Sequence, residues 1–361
     1  MSKETMRDLQ INTLIGMTEQ RGNAWHRRDD LRRNEDGTYL EDNHYKGMIP
    51  VKDVLRRLFY WNPVSLPVAY LKPCEPDEAD FITQAGAAVK VIESQQDRKG
   101  LLRDDTYFDL GVFKVAEHHP YQIGLIREAE RLTGSILGIS SAGVLSKGGK
   151  AWVEFSLPET HHDGKSGFSY RPNLLKADSM DGSMAQTTAL TINATVCDNT
   201  LDWNLMEAKG AGLVFKRRHT RNFTDLQDER DALGILEQVD TEFTKGLHKL
   251  IARKVTEPKV IQVLDVIMPL PEDDGRAKTQ QQNRRDQWFD LYINDERCAP
   301  WKGTAFGVVQ TDNTYRHWFS QIQKSGEDKR GRAERNTWRA IKGSQAAADQ
   351  KIVKALELVL A

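Results

Sequence analysis

Two periodicities divide this chain and they do not overlap. Ala151, Val153, Phe155 and Leu157 alternate with Trp152, Glu154 and Ser156, and from Thr187 to Cys197 the apolar Leu190, Ile192, Ala194 and Val196 alternate with Thr191, Asn193 and Thr195. A repeat of two sends like side chains to one face of an extended chain, so both stretches read as β-strands. From about residue 226 the repeat changes. Leu233, Leu236, Val239, Phe243, Leu247 and Leu250 recur every three or four residues, the stripe of a helix. Pro269, Pro271 and Gly275 separate that helix from three more helical stretches, at about 279–294, 304–323 and 330–358. The expected class is α+β: a helix and an antiparallel hairpin or sheet in the middle, and an all-helical C-terminal part.

The middle can be read in finer detail. After Pro120, the residues Tyr121, Leu125, Ala129 and Leu132 share a helical stripe that ends at Gly134. Ser135 to Leu145 is apolar and β-compatible, and Ser146-Lys147-Gly148-Gly149-Lys150 supplies the turn of a hairpin. A loop of His, Asp and Gly follows, then the strand that ends at Cys197. Asp198-Asn199-Thr200 would cap a helix over Leu201 to Ala208. Upstream, Met48 to Trp61 reads as a short amphipathic helix entered at Pro50, and Pro63, Pro67, Pro73 and Pro76 predict loops. Residues 1–46 are polar, with Ala24-Trp25-His26 as their one anchored element. The divisions expected are a polar N-terminal arm (1–46), an α+β core (47–225) and a helical region (226–361).

Composition excludes several functional classes. With 51 Lys and Arg against 52 Asp and Glu the formal charge is -1, so the surface is not basic throughout. Any contact with a polyanion must be local. Nowhere do eighteen apolar residues run together, and no membrane partner is expected. Cys74, Cys197 and Cys298 are odd in number and too far apart for a Cys-x-x-Cys site, which fits a reducing cytoplasm.

No cofactor, metal or catalytic group is assigned. The stretch Gly143 to Ala151 departs from a phosphate-binding loop because Lys150 comes one place late, no Ser or Thr follows it, and a strand rather than a helix comes next. His118-His119 and His161-His162-Asp163 are neighbours that point apart on an extended chain and lack a matched motif such as His-Glu-x-x-His. No Ser-His-Asp or Cys-His grouping can be recognised.

Charge clustering supplies the functional reading. Arg332, Arg335, Arg339 and Lys342 are spaced three, four and three apart, so a helix would line them on one face with Trp338 at its flank and Arg330 just before. Between Arg316 and Lys342 eight Lys and Arg face three acids. A second basic run holds Lys216, Arg217, Arg218 and Arg221, and Lys147 and Lys150 sit at the tip of the hairpin turn. Folded together, these cations would line a groove, and each phosphate neutralised there would release counterions. Trp152, Tyr170 and Arg171 lie on or beside the sheet, where ring and guanidinium planes could stack on unpaired bases. The plainer alternatives are a solvated helix face, an ordinary turn and a Trp152 buried in the core.

The chain resembles the phage- and plasmid-borne proteins grouped as a domain of unknown function, number nine-three-two in that series. The likeness rests on Trp25-His26, Lys150-Ala151-Trp152-Val153, Ala194 to Leu201 with its Cys-Asp-Asn-Thr-Leu run, Gly303-Thr304-Ala305-Phe306-Gly307 and Arg332-Ala333-Glu334-Arg335. Where the family pattern has Gly after Trp-His, this chain has Arg27-Arg28. The resemblance implies a mobile-element protein acting in a bacterial cytoplasm. The order helix, hairpin, third strand, helix is also similar to that of single-strand annealing recombinases of the RecT and Rad type. The expectation is therefore an ATP-independent protein that binds single-stranded DNA and anneals strands, as a homo-oligomeric ring or filament. An interaction protein that occupies a host factor is the alternative, and a metal-dependent nuclease resting on His161 and His162 is the least favoured.

Overall fold

The computed structural model describes residues 11–17, 41–94, 98–114, 121–133, 137–194, 200–202, 214–217, 229–320 and 344–361. Its centre is the expected hairpin. Strands β8 (Gly138–Leu145) and β9 (Lys150–Ser156) pair antiparallel from Leu145 opposite Lys150 to Gly138 opposite Ser156, with one irregularity between Ile139 and Ser141. Ala151, Val153 and Phe155 lie fully buried on one face of β9, as their alternation predicts. The intervening Trp152, Glu154 and Ser156 are buried too. The alternation therefore separates an apolar buried face from a largely polar buried one, rather than core from solvent.

The loop expected after the hairpin is instead the centre of the sheet. Strand β11 (Phe168–Ser179) runs for 12 residues between β9 and β12 (Gln186–Ala194), and short β10 (His161–Asp163) pairs with its first part. Pro172 argues against a central strand by sequence. It falls in the gap where the neighbour on that side changes, since β10 pairs with residues up to Tyr170 and β9 with residues from Asn173 onward. Strand β1 (Thr13–Ile15) pairs with β8, while β13 (Thr200–Asp202) and β14 (Val214–Arg217) both pair with β12. The helix expected from Leu201 begins as β13, and its remainder lies outside the described residues.

Helices cover the apolar face. Helix α1 (Val51–Leu58) buries Val54 and Leu58, and α2 (Tyr121–Leu132) buries the stripe Tyr121, Leu125, Ala129 and Leu132. In the C-terminal part, α3 (Glu229–Ala252) turns Leu236, Phe243 and Leu247 inward. It is followed by α4 (Glu257–Ile267), α5 (Arg276–Asn294), α6 (Ala305–Thr314) with the π-helical turn Tyr315–Phe319, and α7 (Ser344–Leu360). Every residue of α6 is buried, and the Thr304 hydroxyl caps it by accepting from the Gly307 amide at 3.1 Å. Rings from both parts interlock: Tyr170 and Phe243 lie 4.5 Å apart, Phe168 and Phe306 5.0 Å, Phe168 and Trp301 5.3 Å. One apolar core runs through sheet and helices.

The proline-rich segment folds as strands, not loops. β2 (Pro63–Pro67), β6 (Arg98–Arg103) and β7 (Asp109–Lys114) make one three-stranded sheet; β3 (Ala69–Pro73), β5 (Ala88–Glu93) and β4 (Phe81–Ile82) make another. Pro63, Pro67 and Pro73 are the end residues of β2 and β3, which are edge strands. An edge needs no amide on its open side, so proline is tolerated there. Pro76 opens a short 3₁₀ turn.

Candidate nucleic-acid interface

The hairpin turn is built by close approach. Ser146, Lys147 and Gly148 are consecutively left-handed, at φ 51°, 55° and 94°. Buried Arg103 donates from Nη1 to the Lys147 carbonyl at 2.7 Å and from Nη2 to Asp105 at 2.6 Å, and its guanidinium lies 4.4 Å from the Trp61 ring centroid. A Cβ on Gly148 would come within 2.7 Å of Trp61, and one on Gly149 within 2.8 Å of Asp181 Oδ2. The Tyr121 hydroxyl donates to the Gly148 carbonyl at 2.5 Å. Hydrogen bonding to Arg103 holds the Asp105 carboxyl below its usual range.

The two lysines of the turn differ in placement. Lys147 is exposed, with Nζ 4.9 Å from the Phe108 ring centroid. Lys150 is only 7% exposed; its ammonium is 2.6 Å from Asp181 Oδ2 and donates to Ser146 Oγ at 3.1 Å. This corrects the expectation that both are presented to a phosphate backbone, because Asp181 already neutralises Lys150.

The sheet residues expected to stack on bases are likewise structural. Trp152 is buried against Gly143, where a Cβ would meet its ring at 2.0 Å, and packs with Leu145, Leu175 and Ala177. Tyr170 is fully buried; its hydroxyl donates to Asp240 at 2.8 Å and lies 2.6 Å from the Thr244 hydroxyl. Burial raises its pKa. Arg171 is 3% exposed and donates to the Thr160 hydroxyl at 2.9 Å. None of the three planes can meet a base without opening the sheet, which corrects their assignment as stacking groups.

The second basic run is placed in part. Lys216 and Arg217 stand opposite Thr187 and Gln186, while Thr187 stands opposite Ala177, and Ser179 opposite Lys150. Both positions therefore lie at the end of the sheet that carries the hairpin turn, three strand spacings across, or roughly 14 Å. Arg218, Arg221, Arg330, Arg332, Arg335, Trp338, Arg339 and Lys342 lie outside the described residues, as does the helix expected to align the last of them.

Arg316, counted with the C-terminal cations in the sequence, belongs to the interior. Its Nε pairs with Asp312 at 2.6 Å and its Nη2 with the fully buried Asp349 of α7. Burial opposes its charge, but the two carboxylates outweigh that and raise its pKa. Arg316 therefore clamps the π-helical turn Tyr315–Phe319 to α7.

One constellation escaped the sequence reading. Asp240, Thr244 and His248, each four apart on α3, face the β10–β11 pair. His248 Nε2 lies 2.9 and 3.1 Å from the Asp163 oxygens, and His161 Nδ1 lies 3.5 Å from Asp240. Burial disfavours the charged form of Asp163, yet hydrogen bonds from Ser166 and His248 prevail and lower its pKa. The i, i+4, i+8 spacing was legible, but its partners lay in a stretch read as loop. Among the described residues no group of three or more His, Cys, Asp or Glu is placed to hold a metal ion.

A family model described as a domain of unknown function (DUF932) matches residues 125–340, more than half of the chain. The chain belongs to this family. The DUF932 region starts within α2 and takes in the hairpin, β11, α3 to α6, and Arg332 to Arg335. Trp25-His26 and the β2–β7 segment precede it. No curated protein and no solved structure matches the chain. Among the described residues no helix is long and apolar enough to cross a membrane.

Proposed function

We propose that this DUF932 chain binds single-stranded DNA without a nucleotide cofactor and promotes annealing in a phage or plasmid recombination system of the bacterial cytoplasm. The observation that carries this reading is the charge of residues 321–343, seven Lys and Arg against three acids in a chain of formal charge -1. Arg316, just before that segment in the sequence, is already taken by Asp312 and Asp349 and is not counted among these cations. Annealing needs the backbone neutralised while the bases stay free, and it draws its free energy from base pairing. Burial of Trp152, Tyr170 and Arg171 accords with a protein that grips phosphates more than bases. Exposed Lys147 and the Lys216 and Arg217 positions at the same sheet end would extend the contact. A ring or filament of copies would repeat these cations along a strand.

The test is a gel shift with random single-stranded and duplex oligonucleotides over a range of salt. A triple variant carrying Arg332→Glu, Arg335→Glu and Arg339→Glu should bind single strands at least about tenfold more weakly, and the slope of log K against log salt should shrink by about 2. If the unaltered protein binds neither DNA form, the nucleic-acid reading falls and an acidic protein partner takes its place.

A further inference from the structure

Residues 63–114 hold nine of the fifteen large hydrophobic side chains exposed on the described surface, eight of them in two thin sheets and Tyr107 between β6 and β7. The β3–β5–β4 sheet has two chemically distinct faces. On one, Tyr70 stands opposite Ile92 and Lys72 opposite Lys90, with Ile82 beside them; on the other, Leu71 stands opposite Val91, Phe81 lies alongside, and the one charged residue is Glu93. Tyr70 and Ile82 are 61% and 63% exposed.

Lys72 and Lys90 are directly opposed like charges, an arrangement that costs stability in an antiparallel pair. Among the described residues neither ammonium has a carboxylate within ion-pair distance. The β2–β6–β7 sheet repeats the pattern, with Arg98 opposite Lys114 beside exposed Leu66 and Val112, and no carboxylate among the described residues pairs with these cations. β2 and β3 are separated by Val68 alone, and Val68 accepts a hydrogen bond from the Ser94 amide. Leu66 and Tyr70 are four residues apart, the spacing that returns to one side of an extended chain. The two cation pairs stand roughly 13 Å apart along the ribbon, about four residues of strand rise.

An occupant must bring anions to two directly opposed cation pairs and flat apolar groups to the exposed side chains between them. A second copy placed on the same patch would set cations on cations, because a two-fold contact is self-complementary. An acidic peptide would satisfy the lysines and leave the tyrosine ring unused. A single-stranded polynucleotide offers phosphates and base planes in alternation.

We propose that the Tyr70, Lys72, Lys90 face of this ribbon, continued by Arg98 and Lys114, is a platform for single-stranded nucleic acid. The inference rests on the functional reading above and places a site outside the cation-rich segment 321–343. Tyr70 stacks on a base, and the paired cations take the flanking phosphates.

Fluorescence anisotropy of a labelled oligothymidylate with the full-length protein tests it. All the residues changed are exposed, so the fold should survive, which circular dichroism checks. Lys72→Glu with Lys90→Glu should weaken binding about tenfold and shrink the salt slope by about 1.4, Tyr70→Ala should weaken binding with the slope unchanged, and a 5-iodouracil oligonucleotide should photocrosslink to Tyr70. Unaltered affinity and slope in both variants, with crosslinks confined to other segments, would overturn the platform and leave the DNA reading standing. Failure of the unaltered protein to bind the oligonucleotide would overturn both. Equal binding of polyglutamate, indifferent to Tyr70→Ala, would overturn the platform in favour of an acidic protein ligand.

Discussion

Arg316 and Lys150 illustrate what a charge looks like before its partner is known. In the sequence both are cations near other cations; in the fold each meets a carboxylate from a distant segment, Asp349 and Asp181. Sequence spacing carries no information on such pairings, whereas the apolar stripe of α2 needed only local periodicity. Truncation of Arg316 to Ala should cost about 3–5 kcal/mol, because it leaves buried Asp349 and Asp312 without a counter-charge. Urea unfolding measures this, and a loss under 1 kcal/mol would mean the clamp is not held in solution. Cys298 gives a second residue-scale expectation. Burial pushes its thiol up to about 11, so brief alkylation of the native protein should modify the partly exposed Cys74 and spare Cys298. Peptide mass mapping reads this out directly.

At the scale of elements, a strand was legible where its sequence alternates, whatever its burial: β9 is buried on both faces and was still read from Ala151, Val153 and Phe155. β11 was not, because Pro172 and the run Leu174-Leu175-Lys176 interrupt its alternation. The edge strands β2 and β3 were concealed by their prolines, which signal breaks when the edge position is unknown. The contact between β10 and α3 follows the same logic and makes a pH prediction. Asp163 has its pKa lowered on folding, so its stabilisation is present above the unfolded value of about 3.9 and is lost as pH falls through the lower folded value. His248→Gln removes one cause of that shift. The Asp163 carboxyl signal should then titrate at higher pH by NMR, and acid unfolding should begin at higher pH than in the unaltered chain. An acid midpoint that does not move would show that the pair contributes nothing to stability.

At the scale of the whole molecule, sheet and helical part share one set of buried side chains. The change from alternation to helical periodicity near residue 226 marks a change of element, and it suggests a boundary between units. Yet Phe168 and Tyr170 of the sheet interlock with Phe243, Trp301 and Phe306 of the helical part, and one set of buried side chains serves both. A unit that shares its core with a neighbour cannot lose that neighbour and keep its own apolar face dry. Unfolding should therefore be coupled across the apparent boundary despite the chain's length. Near-ultraviolet signals from the aromatic cluster and far-ultraviolet signals from the helices should fall at the same urea concentration. Phe243→Ala, which empties the centre of the cluster, should cost about 3–5 kcal/mol and move both signals together. Two separated transitions, with only one displaced by the substitution, would show that the sheet and the helical region hold independent cores.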